Sequence, residues 1–528
     1  MSARRAARGI PVALLGAAAR PLAVLLLAGC ATGGGGAPAP LAPREAPAAS
    51  RVAALVADVD GVVEDPAFAR ASWGVVIQSL DNDQVLYRRN ADRLFMPASN
   101  LKLLTTAAAL VKLGPAFRWR TEVVARGPRR ADTLAGDLVV IGHGDPSLAV
   151  DAATGADPLA PLRPWADSLR ARGITVVAGR VIGDAAAFPD TPLGPGWSWD
   201  DLTYDYGAPV GALQLDDGVA WVEATPSDTA GRPVQAALLP AGAPLKLFDL
   251  AVTAPADSDV RRLTVDRAPF SDSVTLAGRR SARLPALRLP VSVPSPTAYF
   301  VAGLTEVLRE AGITVLGDTA LPADSAADTL FTWRSPPLDS VLKLMLKPSQ
   351  NQIAEMLLRT LGEQVTGVGS MDSGRAVVRG VLTGLGVPPD AYVQVDGSGL
   401  SRYNYVAPEA LAQILAAMFR RPEFPTLFGA LPIAGVDGTL ATRFLGTAAA
   451  GDAHAKTGTL SNVRSLSGYV TDADGETLLF VLLVNGFTVP SHVVAAAQDR
   501  IVERLATFSR RGEGPGGTGA PAAPATPR

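Results

Sequence analysis

The sequence predicts an α+β protein in which an antiparallel sheet with helices is split by a long β-rich insertion. Strand-like segments stand near both ends of the chain, at 72–87 and 455–484, and a long helical pattern follows the first of them at 99–113. Between 117 and 337, short β-like runs alternate with turn residues. The chain has 528 residues, of which 48% are hydrophobic. Because single cores stop growing near about 250 to 300 residues, we expect two or three domains.

The first 50 residues predict export. Three arginines within residues 4–8 precede an apolar stretch at 21–27, which is too short to span a membrane. Residues 27–30, Leu-Ala-Gly-Cys, resemble the lipobox of bacterial lipoproteins, which implies a signal peptide over 1–29 and a lipidated Cys30. A stray cysteine in an ordinary signal peptide is the alternative. Residues 30–50, rich in Gly, Ala and Pro, predict a flexible tether on the periplasmic side of a bacterial membrane.

The elements that follow are predicted in order from periodicity and stop signals. Residues 51–57 show a helical pattern, two strands at 72–78 and 85–87 enclose an Asp-Asn-Asp turn, and the helix from Ser99 ends at Gly114-Pro115. Inside the insertion, 169–176 and 308–315 are similar junctions, each a helix that ends at a glycine and leads into a strand. The predictions after the insertion are helices at 352–361, 374–385 and 491–508, strands at 455–460, 464–471 and 476–484, and a disordered tail at 509–528.

Composition excludes several classes of function. The net charge of −2 and the lack of a basic run argue against a nucleic-acid partner. The single cysteine and the three widely separated histidines leave no local metal-binding pattern, so we expect neither a metal nor another cofactor.

Three short motifs carry the chemistry: Ser99-Asn100-Leu101-Lys102, Ser349-Gln350-Asn351 and Lys456-Thr457-Gly458, in this order along the chain. Each alone is a weak match, but three in order, each in a suitable context, are unusual. Lysine usage supports them, since only six of the 48 basic residues are lysines and two of the six lie in these motifs. A desolvated lysine can lose its proton and act as a base, which arginine cannot do in a protein.

The residue types predict an acyl-transfer site. Ser99 and Lys102 lie three apart on a predicted helix and therefore share a face, so Lys102 is the expected general base toward the Ser99 hydroxyl. Lys456 is expected to remain protonated, to keep Lys102 neutral by repulsion and, with Thr457, to hold a substrate carboxylate.

The remaining motif residues are assigned to the other steps. Ser349 relays a proton to the leaving amine and the Asn351 amide orients the substrate. The backbone N–H groups of Ser99 and Thr459, beside Gly458, form the oxyanion hole.

A second S-x-x-K sequence, Ser340 to Lys343, is interpreted as structural. Pro348 shortens its helix, so we expect Ser340 to be an N-cap and Lys343 to be solvated. The G-x-S-x-G signature of other serine hydrolases does not occur in the sequence, which leaves a Ser-His-Asp enzyme as a weak alternative.

From about 51 to 508 the chain resembles the D-alanyl-D-alanine carboxypeptidase/endopeptidases, the class C low-molecular-mass penicillin-binding proteins. Beyond the three motifs, the similar stretches are 142–146 (GHGDP), 194–200 (GPGWSWD), 206–213 (YGAPVGAL) and 396–401 (DGSGLS). The resemblance implies a penicillin-binding domain of the β-lactamase/transpeptidase-like fold, formed by 51–116 and 338–508. That family also carries an insertion after the S-x-x-K helix, here 117–337, which forms one or two extra domains.

The resemblance also implies an activity. Ser99 would attack the bond between two D-alanines of a peptidoglycan stem peptide, and β-lactams would bind the same site. An acidic residue of the insertion contacts the diaminopimelate side chain in that family, and Asp184 is the expected match. Gln350 stands where the family often has Asp or Asn, and its side chain is expected to point away from the substrate.

Two alternatives remain open at this stage. A β-lactamase would share the three motifs, although the long insertion favours the peptidase. A non-catalytic cell-wall-binding lipoprotein is the other, and the intact Ser99, Lys102 and Lys456 argue against it.

Overall fold

The computed structural model describes residues 48–149, 156–317 and 327–511. The predicted signal peptide with Cys30, most of the predicted tether, and the tail from 512 onward lie outside the described residues. The helices are α1 (Ala48–Val63), α2 (Lys102–Leu113), α3 (Arg163–Ala171), α4 (Pro296–Glu310), α5 (Leu338–Leu346), α6 (Asn351–Thr366), α7 (Met371–Gly384), α8 (Pro408–Phe419), α9 (Phe424–Ala430) and α10 (Ser491–Ala506). The strands outside the insertion are β1 (Ser72–Ser79), β2 (Val85–Arg89), β18 (Tyr392–Val393), β19 (Tyr405–Val406), β20 (His454–Leu460), β21 (Val463–Thr471) and β22 (Thr477–Asn485).

Strands β3 to β17 belong to the insertion. They are β3 (Arg120–Arg126), β4 (Arg129–Arg130), β5 (Thr133–Leu134), β6 (Asp137–Gly142), β7 (Val176–Val177), β8 (Val181–Asp184), β9 (Val219–Thr225), β10 (Gln235–Leu239), β11 (Lys246–Asp249), β12 (Val252–Ala254), β13 (Leu263–Arg267), β14 (Ser273–Ser281), β15 (Leu287–Ser292), β16 (Thr314–Val315) and β17 (Ala327–Arg334). The α+β class predicted from the sequence is therefore confirmed, with strand and helix segments close to the predicted bounds.

A five-stranded antiparallel sheet unites the two ends of the chain, in the order β2-β1-β22-β21-β20. Strand β22 is buried from Leu478 to Val484 because helices cover both faces of the sheet. Its even-numbered side chains join a core with α1 and α10, whereas the odd-numbered ones join a core with α2 and α5 to α8. This alternation is the two-residue period of a strand. Strand β20, which carries Lys456, forms one edge of the sheet.

Helix α2 lies inside the second of these cores. All residues from Lys102 to Leu110 are buried, because α6, α7 and α8 surround the helix. The helix ends at Gly114, whose φ of +76° is a left-handed conformation that favours glycine.

The insertion has a core of its own, formed by residues between 123 and 333. The two similar junctions lie side by side: β16 pairs in parallel with β7, with Thr314 opposite Val176. Both junction glycines, Gly173 and Gly312, have positive φ values of +73° and +78°. Each helix is therefore ended by a left-handed glycine, as the sequence predicts.

The expectation that Ser340 is an N-cap is wrong. Helix α5 starts earlier, at the fully buried Leu338, with Pro337 in the N-cap position. Ser340 therefore lies in the first turn, where its hydroxyl donates to the Asp339 carboxylate at 3.0 Å. Lys343 is exposed, as expected, and α5 ends before Pro348.

Within the described ranges, none of the helices combines the length and apolarity that crossing a bilayer requires.

Candidate active site

Ser99 lies in a short 3-10 turn, Ala98–Leu101, that leads directly into α2. One turn later, the Lys102 amine is 2.9 Å from the Ser99 hydroxyl oxygen. Ala98 has a φ of +47°, which an alanine adopts only at a cost of about 1–3 kcal/mol. The surrounding contacts therefore hold this turn in a strained conformation that presents the Ser99 hydroxyl.

The Lys102 amine is fully buried and has two further acceptors besides Ser99. These are the Asn351 side-chain oxygen at 2.6 Å and the Ser398 carbonyl at 2.9 Å. The Asn351 amide is oriented because its nitrogen donates to the Tyr206 carbonyl at 2.8 Å. A neutral amine has two N–H donors and one lone pair, so these two obligatory acceptors take both donors. The lone pair is then left facing the Ser99 hydroxyl.

Lys456 lies on the other side of the nucleophile and is also fully buried. Its amine donates to the Ser349 hydroxyl and to the Thr457 carbonyl, both at 2.8 Å. Ser349 has a φ of +71°, a second strained non-glycine position in the site. Asn100, beside the nucleophile, donates to the Lys456 carbonyl at 2.9 Å and so ties the 3-10 turn that carries Ser99 to β20.

Burial shifts the pKa values of both amines downward. Desolvation lowers the pKa of Lys102 to about 7, against the opposing charges of Asp396 and Glu355. Desolvation also lowers the pKa of Lys456 well below its usual value, and the charge of Lys102 lowers it further. The sequence predicts that Lys456 is protonated while Lys102 is neutral. Burial lowers the pKa of both amines, so burial by itself does not produce this difference.

The remaining residues of the third motif have distinct contacts. The Thr457 hydroxyl bonds the Thr439 hydroxyl at 2.7 Å, and the Thr459 hydroxyl accepts from Arg464 at 2.7 Å. At Gly458, an added Cβ would lie 2.9 Å from the backbone nitrogen of Ser99. Glycine at this position therefore allows β20 to approach the nucleophile closely.

A cavity of about 320 Å³ opens in front of these groups. Its lining includes Ser99 of the first motif, Ser349 and Asn351 of the second, and Thr459, which directly follows the third. The Lys102 and Lys456 amines bond two of these lining side chains, Ser99 and Ser349. The Gln350 side chain instead donates to Asp217 of the insertion at 2.6 Å.

Asp184 is not among the residues that line this cavity. It ends β8, and its carboxylate accepts from the Ala186 backbone at 3.0 Å in a local turn. The acid of the insertion in the lining is Asp201, which accepts from the Tyr206 hydroxyl at 2.9 Å, and the cation in the lining is Arg402.

Sequence reasoning missed these three lining residues, although a signal was present. Asp201 and Arg402 each directly follow a stretch that resembles the family, at 194–200 and 396–401, and Tyr206 begins another such stretch. Asp201 is thus an acid of the insertion that lines the cavity and that sequence reasoning did not single out.

Comparison with known proteins agrees with this geometry. The sequence model of the D-Ala-D-Ala carboxypeptidase 3 (S13) family matches residues 55–508. The D-alanyl-D-alanine carboxypeptidase of Actinomadura sp. (strain R39) is 36% identical over 479 residues, covering 87% of this chain and 86% of that protein. The D-alanyl-D-alanine carboxypeptidase DacB of Haemophilus influenzae is 28% identical over 428 residues, covering 79% and 85%.

Solved structures give the same result. The crystal structure of penicillin binding protein 4 (dacB) from Haemophilus influenzae superposes with a TM-score of 0.72 at 28% identity, covering 85% of this chain and 99% of that one. Its complex with a β-lactam gives a TM-score of 0.69 at 26% identity, covering 84% and 97%. The chain therefore belongs to the D-Ala-D-Ala carboxypeptidase 3 (S13) family and is a serine-type peptidase of the penicillin-binding fold.

Proposed function

We propose that the protein is a D-alanyl-D-alanine carboxypeptidase/endopeptidase that cleaves peptidoglycan stem peptides through an acyl-enzyme on Ser99. The observation that carries the proposal is the arrangement around Lys102. Two fixed acceptors, the Asn351 side-chain oxygen and the Ser398 carbonyl, occupy the two donors of the neutral amine, so its lone pair faces Ser99. This is the geometry of a general base and its nucleophile.

Acylation proceeds by proton transfer from Ser99 to Lys102 as the hydroxyl oxygen attacks the carbonyl between the two D-alanines. The negative charge that develops on the carbonyl oxygen is received by the backbone N–H groups of Ser99 and Thr459. Collapse of the tetrahedral intermediate breaks the C–N bond. The leaving amine of the terminal residue takes a proton from Ser349, whose hydroxyl regains one from the Lys456 amine. Lys456 recovers the proton that Lys102 took from Ser99, so both lysines return to their starting states.

The substrate itself completes the electrostatics of the site. A terminal carboxylate placed beside Lys456 and Thr457 would raise the pKa of the buried Lys456 amine, because an opposite charge favours the protonated form. The charged Lys456 then disfavours a second positive charge on Lys102 nearby. Carboxylate binding thus helps to keep the base neutral. Water then attacks the acyl-enzyme, which releases the shortened peptide and restores Ser99.

The lining of the cavity fits a diaminopimelate side chain, which carries an ammonium and a carboxylate. Asp201 supplies a negative group and Arg402 a positive one, both from the wall of the same cavity. We propose Asp201 as a second acidic candidate for this role, beside the Asp184 that the resemblance points to. The variant whose residue binds the side chain, Asp201→Asn or Asp184→Asn, should lower kcat/KM for a diaminopimelate-containing peptide more than for a dipeptide that lacks diaminopimelate. Equal losses on both substrates would refute the role for that residue.

Fluorescent penicillin tests the nucleophile. We expect stoichiometric covalent labelling that Ser99→Ala abolishes and Ser340→Ala, the matched change in the other S-x-x-K sequence, leaves intact. Labelling that survives Ser99→Ala and is lost in Ser340→Ala would show that the wrong serine had been chosen.

The same preparation distinguishes the alternatives. Rapid turnover of a chromogenic cephalosporin with no release of D-alanine from a D-Ala-D-Ala peptide would indicate a β-lactamase. Peptide binding without a covalent penicillin adduct would indicate a non-catalytic cell-wall-binding protein. Release of D-alanine together with a long-lived adduct supports the peptidase.

We also propose that the protein is exported and anchored by a lipid on Cys30, on the periplasmic side of a membrane. The support is the sequence of residues 27–30 and the cell-wall-acting family to which the chain belongs. Expression with labelled palmitate should give a labelled protein in the membrane fraction. Cys30→Ser should remove the label, and a label that persists would refute the assignment.

A further inference from the structure

Glu355 is a buried acid next to the general base that the chemistry above does not use. It lies on α6, one turn after Asn351, and only 1% of its surface is exposed. Its environment is also charged: Arg359 lies 3.4 Å from one of its oxygens. Burying a carboxylate is costly unless its oxygens have partners, so these partners show what the acid holds in place.

The other carboxylate oxygen of Glu355 accepts two backbone N–H groups. They belong to Gly397, at 2.9 Å, and Ser398, at 2.8 Å. The carbonyl of the same Ser398 accepts from the Lys102 amine at 2.9 Å. Glu355 therefore binds the N–H of the same residue whose carbonyl accepts from the general base.

The loop at 396–401 is held from its other side by Asp396. The Asp396 carboxylate accepts the N–H groups of Gly399 and Ser401 and the indole N–H of Trp197, at 2.7–3.1 Å. Gly397 has no room for a side chain, since a Cβ would lie 2.4 Å from the Ala354 carbonyl of α6. The loop is thus pressed against α6, with Glu355 as the contact nearest to Lys102.

We propose that Glu355 is a positioning residue for the general base: by binding the amides of Gly397 and Ser398, it fixes the Ser398 carbonyl that directs the Lys102 lone pair toward Ser99. This inference rests on the proposed function, because it assigns Lys102 its role as base. If the Ser398 carbonyl moves, an N–H of Lys102 loses its acceptor and turns toward the Ser99 hydroxyl in place of the lone pair. The cost falls on the rate of acylation, since a displacement of about 1 Å can lower a rate about 100-fold.

Ionised Glu355 acts on Lys102 as well. Burial raises the pKa of Glu355 itself from 4.5 to about 7, so its charge develops over the same pH range in which Lys102 becomes neutral. The charged groups that surround the Lys102 amine are Lys456 from β20, Asp396 from the loop, and Glu355 from α6, with Arg359 behind it. Asp396 and Glu355 both raise the pKa of Lys102 against the effect of burial. Removing the charge of Glu355 should therefore lower the pH at which Lys102 becomes neutral.

Two conservative variants separate the effect of the length of the Glu355 side chain from the effect of its charge. Glu355→Asp keeps the charge but is one methylene shorter, so it cannot reach both amides. We expect its plateau rate of acylation by penicillin to fall between about 10- and 100-fold. Glu355→Gln keeps an oxygen at the right distance, so it should retain most of the plateau rate. Its acylation should become half-maximal at a lower pH than in the wild type, where burial lowers the pKa of Lys102 to about 7.

Met356→Ala is the control for a merely structural effect. Met356 is the next residue of α6, fully buried, and belongs to a hydrophobic cluster with Phe188, Val210 and Ala212. Its loss should destabilise the fold while the folded fraction, measured by circular dichroism, acylates at the wild-type rate and with the wild-type pH profile.

The outcomes are distinct. A Glu355→Asp protein that acylates as fast as the wild type, or a Met356→Ala protein that slows as much per folded molecule, would overturn the inference. An unmoved pH profile in Glu355→Gln would remove its electrostatic part. A wild-type protein that penicillin does not label would instead refute the proposed function.

Discussion

Gly458 gives a sharp test of how closely the sheet must approach the nucleophile. In Gly458→Ala, the new methyl would lie 2.1 Å from the Ser465 hydroxyl and 2.9 Å from both the Pro97 carbonyl and the Ser99 nitrogen. Ser465 is not free to move without consequence, because its hydroxyl donates to the Pro97 carbonyl at 2.7 Å. That hydrogen bond holds the segment that precedes Ser99. The methyl therefore presses on the nucleophile from two directions.

The magnitude follows from these distances. Ordinary contact begins at 3.4 Å, so the Ser99 backbone must retreat by about 0.5 Å, the difference between 3.4 and 2.9 Å. Since about 1 Å of misplacement can cost about 100-fold in rate, half of that distance should cost on the order of tenfold. This equals about 1.4 kcal/mol of transition-state stabilisation. The oxyanion donor of Ser99 moves together with the hydroxyl, so we expect the effect in acylation.

The assay is the second-order rate constant for labelling by fluorescent penicillin at fixed pH. Gly380→Ala is the matched control, because Gly380 lies in α7 with nothing within 4 Å of the position of a Cβ. It should leave labelling unchanged and stabilise the fold by about 0.5–1 kcal/mol. A Gly458→Ala protein that is labelled at the wild-type rate would refute the reasoning, since the strand would then not constrain the nucleophile.

Three further predictions concern pH and stability. The acylation rate should rise with pH through about 7, because protonated Lys102 has no lone pair, and Lys102→Arg should stay inactive at every pH; a flat pH–rate profile would contradict this. Burial raises the pKa of Asp217 from 3.8 to about 7, so between these pH values the folded state binds a proton that the unfolded state has released, and stability falls as pH rises. Asp217→Asn should remove this slope in urea unfolding at several pH values, and an unchanged slope would show that another group causes it. Trp197→Phe removes the indole donor to Asp396 and should cost about 0.5–1.5 kcal/mol in urea unfolding; no loss of stability would show that this link to the insertion contributes nothing.

The sequence by itself determined the parts of the protein that depend on local spacing. Ser99 and Lys102 lie three residues apart on a helix, so their contact follows from helical geometry once the helix is predicted. The junction glycines indicated where two helices end. Ser340 shows the limit even of local reasoning. The buried Leu338 begins helix α5, so the helix starts before Ser340, the residue expected to be its N-cap.

The tertiary structure alone decided which groups accept hydrogen bonds from Lys102 and which acid of the insertion lines the cavity. The acceptors that orient Lys102 are a side chain 249 residues away and a backbone carbonyl 296 residues away. A backbone carbonyl has no residue type that a motif can record, and such distant contacts are set by how helices and loops pack. For the same reason the sequence did not single out Asp201, which packing places in the lining of the cavity. Local geometry is encoded in spacing, but contacts across hundreds of residues exist only once the cores have formed.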